Sequence, residues 1–136
     1  MSDNSHPLQG QLTESAVMLA VWSVDRALEF YRDKLGFTVL DQQPHLARMV
    51  LGSLRLNLVV ESMPTPDKPS VTIGPPNTPQ RTSVVLIFTV RDCQATYETL
   101  KARGVPFMTP PQPTQWGGLR CFTRDPDGYL IQFSSG

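Results

Sequence analysis

The sequence of 136 residues contains few of the side chains that usually bind catalytic metals. Its histidines are His6 and His45, and histidine is the commonest nitrogen ligand of such metals. Its cysteines are Cys93 and Cys121, whose spacing matches neither a zinc site nor a CxxC redox pair. Because two cysteines cannot form a disulfide framework, we expect a reducing, cytoplasmic location.

Long apolar runs and an excess of either charge are also missing. No apolar run is long enough for a transmembrane helix, so we expect no membrane as a partner. Twelve basic residues balance twelve acidic ones, and a chain of zero net charge is not drawn to phosphate backbones, so we expect no nucleic acid either. Residues 1–12 are polar and lack the basic start and apolar stretch of a secretion signal, which predicts a flexible tail.

What the sequence does contain is one pattern of elements that occurs twice. In residues 13–60, an alternating strand at 16–22 precedes a helix that begins after the N-cap residue Ser23 and ends at Gly36. Strand-like segments follow at 37–40, 45–51 and 54–60. This order predicts one βαβββ module, which we call module one.

Residues 83–136 repeat the order and form module two. A strand at 84–90 leads to the N-cap residue Asp92, and Gly104 closes the helix. Residues 105–108 and 119–123 are strand-like, and a last strand covers 129–134. Before that strand, the turn Asp125-Pro126-Asp127-Gly128 has proline and glycine at positions where a tight turn favours them.

Residues 61–82 join the modules and contain six prolines; we call them the Pro-rich segment. Such a segment favours extended backbone with few internal hydrogen bonds, so it is either a linker or a cover over a binding site. The whole pattern predicts one α+β domain made of two βαβββ modules.

Two segments carry a resemblance to a known family. Residues 23–37, which include FYRDKLGF, and residues 124–133, which include DPDG, resemble the two signatures of the vicinal oxygen chelate superfamily of glyoxalases, bleomycin resistance proteins and dioxygenases. The resemblance covers residues 16–134. It implies that the modules form a partly closed barrel around a cavity, and that the protein is a homodimer.

Enzymes of this superfamily bind a divalent metal in the cavity, and the resemblance places their ligand positions at Ala16, Asn57, Val85 and Gln132. The side chains of Ala16 and Val85 have no donor atom, and two neutral amides are weak ligands for transition metals. The chain therefore resembles a branch without the metal ligands, and we expect no metal and no cofactor.

Strand alternation predicts which side chains line the cavity. The lining is mostly apolar, with two amides and one or two guanidinium groups, which suits a small aromatic or anionic organic molecule. Alternation predicts Met18, Trp22, Arg55, Asn57, Val85 and Gln132 as ligand-binding residues. The resemblance adds Trp116 and Arg120, in the segment where related proteins approach the cavity mouth, and His45 is included as a candidate at the pocket rim.

Several of these residues have a simpler interpretation that the sequence leaves open. Met18 and Trp22 could pack in the core, and the amides of Asn57 and Gln132 could bond to each other. The arginines could reach solvent, and His45 could lie at the surface.

Three functions remain compatible with this sequence. The first is a metal-independent protein that binds a small organic molecule. The second is a lyase, isomerase or dioxygenase with unusual or no metal ligands, for which His45, Asp41 or Glu61 would supply a general base. The third is an interaction module whose cavity is filled by large side chains.

Overall fold

The computed structural model describes residues 6–136 and confirms an α+β fold of two similar modules. Residues 6–12 of the predicted tail are exposed, and the rest of it lies outside the described residues. Module one contains β1 (Val17–Val21), α1 (Val24–Leu28) with a π-helical turn (Glu29–Lys34), β2 (Thr38–Gln43), β3 (Leu46–Leu51) and β4 (Leu54–Val60). Module two contains β5 (Val85–Thr89), α2 (Cys93–Ala102), β6 (Gln112–Pro113), β7 (Leu119–Arg124) and β8 (Leu130–Ser135).

Each module forms a four-stranded sheet of the same topology. The strand orders are β1-β4-β3-β2 and β5-β8-β7-β6. The first and last strands of each module pair in parallel, and the other pairs are antiparallel. The two sheets are separate and do not close into a barrel within the described chain, although the implied partly closed barrel would bring them together.

The two helices differ in length by one residue. The interval from cap residue to closing glycine is thirteen positions from Ser23 to Gly36 and twelve from Asp92 to Gly104. The longer helix accommodates the extra residue as a π-helical turn, in which the Leu35 N–H donates to the Phe30 carbonyl at 3.0 Å. Both Phe30 and Tyr31 are buried there, although they are adjacent in sequence.

The predicted strand at residues 105–108 is the main local difference. Phe107 makes one isolated bridge to Thr123, and the pairing strand is the two-residue β6. Proline cannot donate to a ladder, and Pro106, Pro110 and Pro111 interrupt this stretch. The structure therefore replaces an expected strand with a largely irregular connection.

The Pro-rich segment is not extended throughout. Ser62 and Ile73 exchange two backbone hydrogen bonds of 2.8 Å, and Thr65 and Lys68 form a smaller bridge inside that loop. Its internal hydrogen bonds contradict the expectation of few such bonds. Near its end, Pro79 lies against Gly128, so the segment returns to the turn of module two.

One hydrophobic core joins the modules. Phe37 of module one contacts Phe88 of module two edge to face at 6.0 Å between ring centroids, and Phe88 stacks on Phe133. The core residues of both modules belong to a single cluster beneath α1 and α2. Within residues 6–136 no helix has the length and apolar character needed to cross a membrane.

Candidate functional site

The face of each sheet that points away from the helices is open, and we call it the open face. In β4 the side chains of Leu56 and Leu58 are fully buried, while Arg55, Asn57 and Val59 are partly exposed. Exposed apolar side chains also lie at the edge strands, with Met18 50% and Ile87 59% exposed. Large apolar groups that remain accessible on a sheet face are typical of binding surfaces.

The two open faces carry equivalent rows of side chains. In module one the row is Met18, Asn57, Arg48 and Asp41, in register across four strands. In module two the row is Ile87, Gln132 and Phe122. Asn57 and Gln132 therefore occupy matching central positions, and no hydrogen bond within residues 6–136 joins the two amides. The Gln132 amide instead donates to the Ser134 hydroxyl at 3.3 Å.

The arginines of module one already have carboxylate partners. Arg55 lies 3.1 Å from Glu14, and Arg48 lies 4.0 Å from Glu14 and 3.8 Å from Asp41. These pairs neutralise the charge on the first open face, although exposed pairs of this kind contribute little stability.

Arg120 of module two is different, because it contacts rings instead of carboxylates. Its guanidinium carbon lies 5.3 Å from the centroid of the Phe122 ring and 5.8 Å from that of Trp116. Cation–π contacts at these distances orient the guanidinium without using its N–H groups. No Asp or Glu in the described part of the chain pairs with Arg120, so its N–H groups are available to an anion.

A tight loop positions Trp116 beside Arg120. The Thr114 hydroxyl accepts a hydrogen bond from the Gly118 N–H at 3.0 Å, and the Gly118 carbonyl accepts one from the Thr114 N–H at 2.9 Å. A side chain at position 118 would place its Cβ 1.9 Å from the Ser135 carbonyl oxygen, so this loop requires glycine. A cavity of about 270 Å³ lies between Trp116, 58% exposed, and Arg120.

The ligand positions of the superfamily's metal do not fit a metal here. Ala16 is exposed and precedes β1, and Val85 begins β5, so the structure adds no donor atom at either place. Asn57 and Gln132 lie on the two open faces as neutral amides. No cluster of three or more His, Cys, Asp or Glu residues capable of holding a metal occurs among residues 6–136.

Arg120, Phe122 and Trp116 form what we call the Arg120 group, and two other predicted residues lie away from it. Trp22 is 62% exposed and does not pack in the core; with Asp25, Gln42 and Pro44 it lines a separate pocket at the end of sheet one. His45 is exposed in the turn between β2 and β3.

The other candidate general bases also lie in or just beyond module one. Asp41 accepts a hydrogen bond from Gln43 and pairs with Arg48, and Glu61 follows the end of β4, where it lies against Gly74. No hydrogen bond or salt bridge joins His45, Asp41 or Glu61 to the Arg120 group within residues 6–136. The structure therefore favours none of them as a base acting at that group.

The aspartates of the DPDG turn are structural. Asp125 is buried, accepts a 2.6 Å hydrogen bond from the Tyr31 hydroxyl and accepts the Asp127 and Tyr129 N–H groups. Burial raises the pKa of Asp125 although these hydrogen bonds lower it, and burial and Asp125 raise the pKa of Tyr31 well above its usual value. Both groups face the core between the modules and not an open face.

Sequence reasoning missed Arg48 and Phe122. Both lie on the open faces, on β3 and β7, while their neighbours Ala47, Met49, Cys121 and Thr123 are buried. The alternation in residues 46–51 and 119–124 carries this signal, but the predicted lining used other strands and placed only Arg120 near β7.

Comparison with known proteins agrees with the geometry. The family model described as the Glyoxalase/Bleomycin resistance protein/Dioxygenase superfamily matches residues 15–133. No curated protein sequence is a significant match to the chain.

Solved structures with a similar fold include a glyoxalase/bleomycin resistance protein/dioxygenase from Nocardioides, with 22% identity, a TM-score of 0.74, and coverage of 92% of this chain and 83% of that one. TioX from Micromonospora is 23% identical with a TM-score of 0.71, covering 91% of this chain and 98% of that chain. A lactoylglutathione lyase from Agrobacterium tumefaciens is 20% identical with a TM-score of 0.66, and 92% of each chain is covered. From its two signatures, its duplicated topology and the match over residues 15–133, the chain belongs to the glyoxalase/bleomycin resistance protein/dioxygenase superfamily.

Proposed function

We propose that this chain is a metal-independent binding protein for a small organic molecule that carries an aromatic ring and an anionic group. The observation that carries the proposal is the guanidinium of Arg120, which lies against the rings of Trp116 and Phe122 and has no carboxylate partner in residues 6–136. Arg48 and Arg55, by contrast, are already paired. The open face of module two is therefore the better receptor for an anion.

The chemistry of this group follows from its geometry. A guanidinium offers parallel N–H donors that match the two oxygens of a carboxylate, and such charge-assisted bonds are among the stronger ones. The exposed indole of Trp116 provides apolar area for a ring, and Ile87 adds apolar area in the row that contains Phe122. The amide of Gln132 lies between Ile87 and Phe122 in that row, and its oxygen offers an acceptor.

The first test is calorimetric titration with a series of aryl carboxylates, compared with the matching aryl alcohols. We expect micromolar to millimolar binding of some carboxylates and weaker binding of the alcohols. Arg120→Ala removes the anion contact, so affinity should fall on the order of tenfold or more. Arg120→Lys keeps the charge but loses the planar donors, and it should bind with intermediate affinity.

Arg81→Ala is the matched control, since Arg81 is an exposed arginine of the Pro-rich segment and should leave affinity unchanged. Equal binding of carboxylates by the wild-type protein and Arg120→Ala would refute the proposed site. Binding of the alcohols as tightly as the carboxylates would refute the anionic class.

Metal independence is tested with the metals alone. We expect no stoichiometric binding when EDTA-treated protein is titrated with Mn²⁺, Fe²⁺, Ni²⁺ or Zn²⁺, because the described residues offer only amide oxygens at the superfamily's ligand positions. Tight binding abolished by Gln132→Ala would instead support the enzyme alternative and make lyase and dioxygenase assays the next step.

A homodimer and a cytoplasmic location are further parts of this proposal. Met18, Val85 and Ile87 are exposed apolar side chains on the open faces, and a second copy could bury them. Light scattering should then give twice the mass of the chain, and Ile87→Glu should shift it towards the monomer. A wild-type monomer at the highest measurable concentration would contradict the dimer.

The two free, buried cysteines are compatible with a reducing compartment.

A further inference from the structure

Each module turns the hairpin between its last two strands towards the other module's helix. On one side the turn is Asp125-Pro126-Asp127-Gly128. Asp127 accepts the Trp22 N–H at 3.0 Å, Asp125 accepts the Tyr31 hydroxyl, and Arg26 donates to the Pro126 carbonyl at 2.6 Å. The DPDG turn therefore fills the contact with α1.

Within residues 6–136, no side chain fills the equivalent contact on the other side. The corresponding turn of module one is the short Gly52-Ser53 connection between β3 and β4. Counted from the cap residues, Thr96 and Leu100 of α2 match Ala27 and Tyr31 of the first helix. A pocket of about 590 Å³ lies between this turn, β5 and α2, and Thr96 and Leu100 line it. We call it the inter-module pocket.

Its walls are mostly apolar, and none of the described residues that line it is charged. Phe88 and Phe133 of module two, stacked at 5.5 Å, line it together with Leu35 and Leu54 of module one. The polar side chains in the lining are hydroxyls, such as that of Ser53. A cavity of this size and lining suits the apolar part of a small ligand.

Positive charges lie directly beside the apolar walls. An adjoining depression of about 420 Å³ shares Leu35, Thr96 and Leu100 with the pocket and is also lined by three cations and one carboxylate: Lys34, Arg91, Arg103 and Asp92. The Asp92 carboxylate is already engaged, because its Oδ1 caps α2 by accepting the Ala95 N–H at 2.9 Å. The local charge is therefore positive.

The contact between the DPDG turn and the first helix shows which chemical group suits the start of the helix. There a carboxylate, that of Asp127, lies at the start of the helix, bound to the Trp22 N–H and 3.6 Å from Arg26. Counted from the caps, Arg91 is the counterpart of Trp22. A ligand carboxylate beside Arg91 would occupy the place that Asp127 occupies in the other half of the molecule.

We propose that the inter-module pocket binds an amphipathic monocarboxylate, with its apolar chain or ring between Phe133 and Leu54 and its carboxylate beside Lys34, Arg91 and Arg103. Trp116, Arg120 and Gln132 do not line this site, which shares Ile87 with the open face of module two. Substitutions at Arg120 therefore distinguish it from the function proposed above.

Calorimetric titration with decanoate, kept below its micelle concentration, tests whether the pocket binds an amphipathic monocarboxylate. The same titration with 1-decanol tests whether the carboxylate of the ligand contributes to binding. We expect decanoate to bind with a stoichiometry of one per chain and 1-decanol to bind about tenfold more weakly or worse. Thr96→Phe places a ring in the pocket and should weaken decanoate binding by about tenfold or more. Gln94→Phe, an exposed residue of the same helix outside the pocket, should leave it unchanged.

Three further variants separate the possible outcomes. Ser53→Phe fills the pocket from the opposite side and keeps the test valid if Thr96→Phe does not fold. Arg91→Gln should weaken decanoate about fivefold without affecting 1-decanol. Arg120→Ala should leave decanoate binding unchanged even if it abolishes the binding proposed for the open face. No binding of decanoate at millimolar concentration, equal binding of 1-decanol, or binding that survives both filling variants would overturn the proposal.

Discussion

The buried hydrogen bond between Tyr31 and Asp125 shows how a single residue couples the two modules. Burial raises the pKa of Asp125 more than its hydrogen bonds lower it, so folding favours the protonated carboxyl. As pH rises from the usual aspartate pKa towards the raised value, the folded state holds its proton longer than the unfolded state does. The free energy of unfolding therefore decreases across that interval.

Tyr31→Phe should destabilise the protein by about 1.5–3 kcal/mol at neutral pH, because it removes a hydrogen bond to an ionised acceptor. The variant also raises the pKa of Asp125 further. The loss of stability should therefore be smaller at about pH 4, where more Asp125 is protonated. Urea unfolding at the two pH values measures this. Tyr129→Phe is the control, since the Tyr129 hydroxyl donates to the neutral Ala20 carbonyl at 2.8 Å. A loss for Tyr31→Phe that is the same at both pH values would contradict the account.

The two cysteines are buried and their sulfur atoms lie 3.8 Å apart. Burial, reinforced by Cys93, raises the pKa of Cys121 to about 12, so its thiolate is scarce at physiological pH. We expect neither thiol to react with an aromatic disulfide reagent at about pH 8 in the native protein, and both to react in denaturant. Fast reaction of one thiol with the reagent in the folded protein would show that the structure around the cysteines opens locally.

Among the elements, the helices follow most directly from local sequence. Asp92 and Ser23 cap their helices as predicted, with Oδ1 and Oγ accepting backbone N–H groups at 2.9 and 3.2 Å. Asp92→Ala and Ser23→Ala should each lower the free energy of unfolding by about 1 kcal/mol, while replacement by glycine should cost less. Denaturant unfolding of the four variants is the measurement, and alanine variants as stable as wild type would contradict the capping role.

Strand alternation, caps and closing glycines were enough to predict the duplicated order of strands and helix in the two modules. The π-helical turn was not predicted, although the unequal cap-to-glycine intervals signal one extra residue. The strand predicted at residues 105–108 was wrong, because the prediction relied on the apolar residues there and gave too little weight to Pro106 and the prolines that follow.

The site was harder to predict than the fold. The contrast between Arg55 and Arg120 depends on Glu14, which lies outside the strands and reaches the first open face only in three dimensions. Alternation gives the face of a side chain, but it does not identify the partner that a loop brings to it. The inter-module pocket likewise depends on packing between elements far apart in sequence.

For the whole molecule, the shared core predicts cooperative unfolding of both modules. The most protected amides of β4 and β8, such as those of Leu58 and Ile131, should exchange with the same free energy of opening. Phe37→Leu, which weakens the contact with Phe88, should lower both values equally by about 1 kcal/mol. Hydrogen exchange measured by NMR tests this, and a loss confined to β4 would show that the modules open separately.

The aromatic contacts across the module boundary also bear on how the chain could be divided. Each half alone would expose one side of the Phe37–Phe88 contact and the buried carboxyl of Asp125 or its tyrosine donor. A proteolytic cut within residues 61–82 breaks no strand of either sheet. The nicked protein should therefore remain a folded complex, and two separately produced fragments should recognise each other and reassemble when mixed.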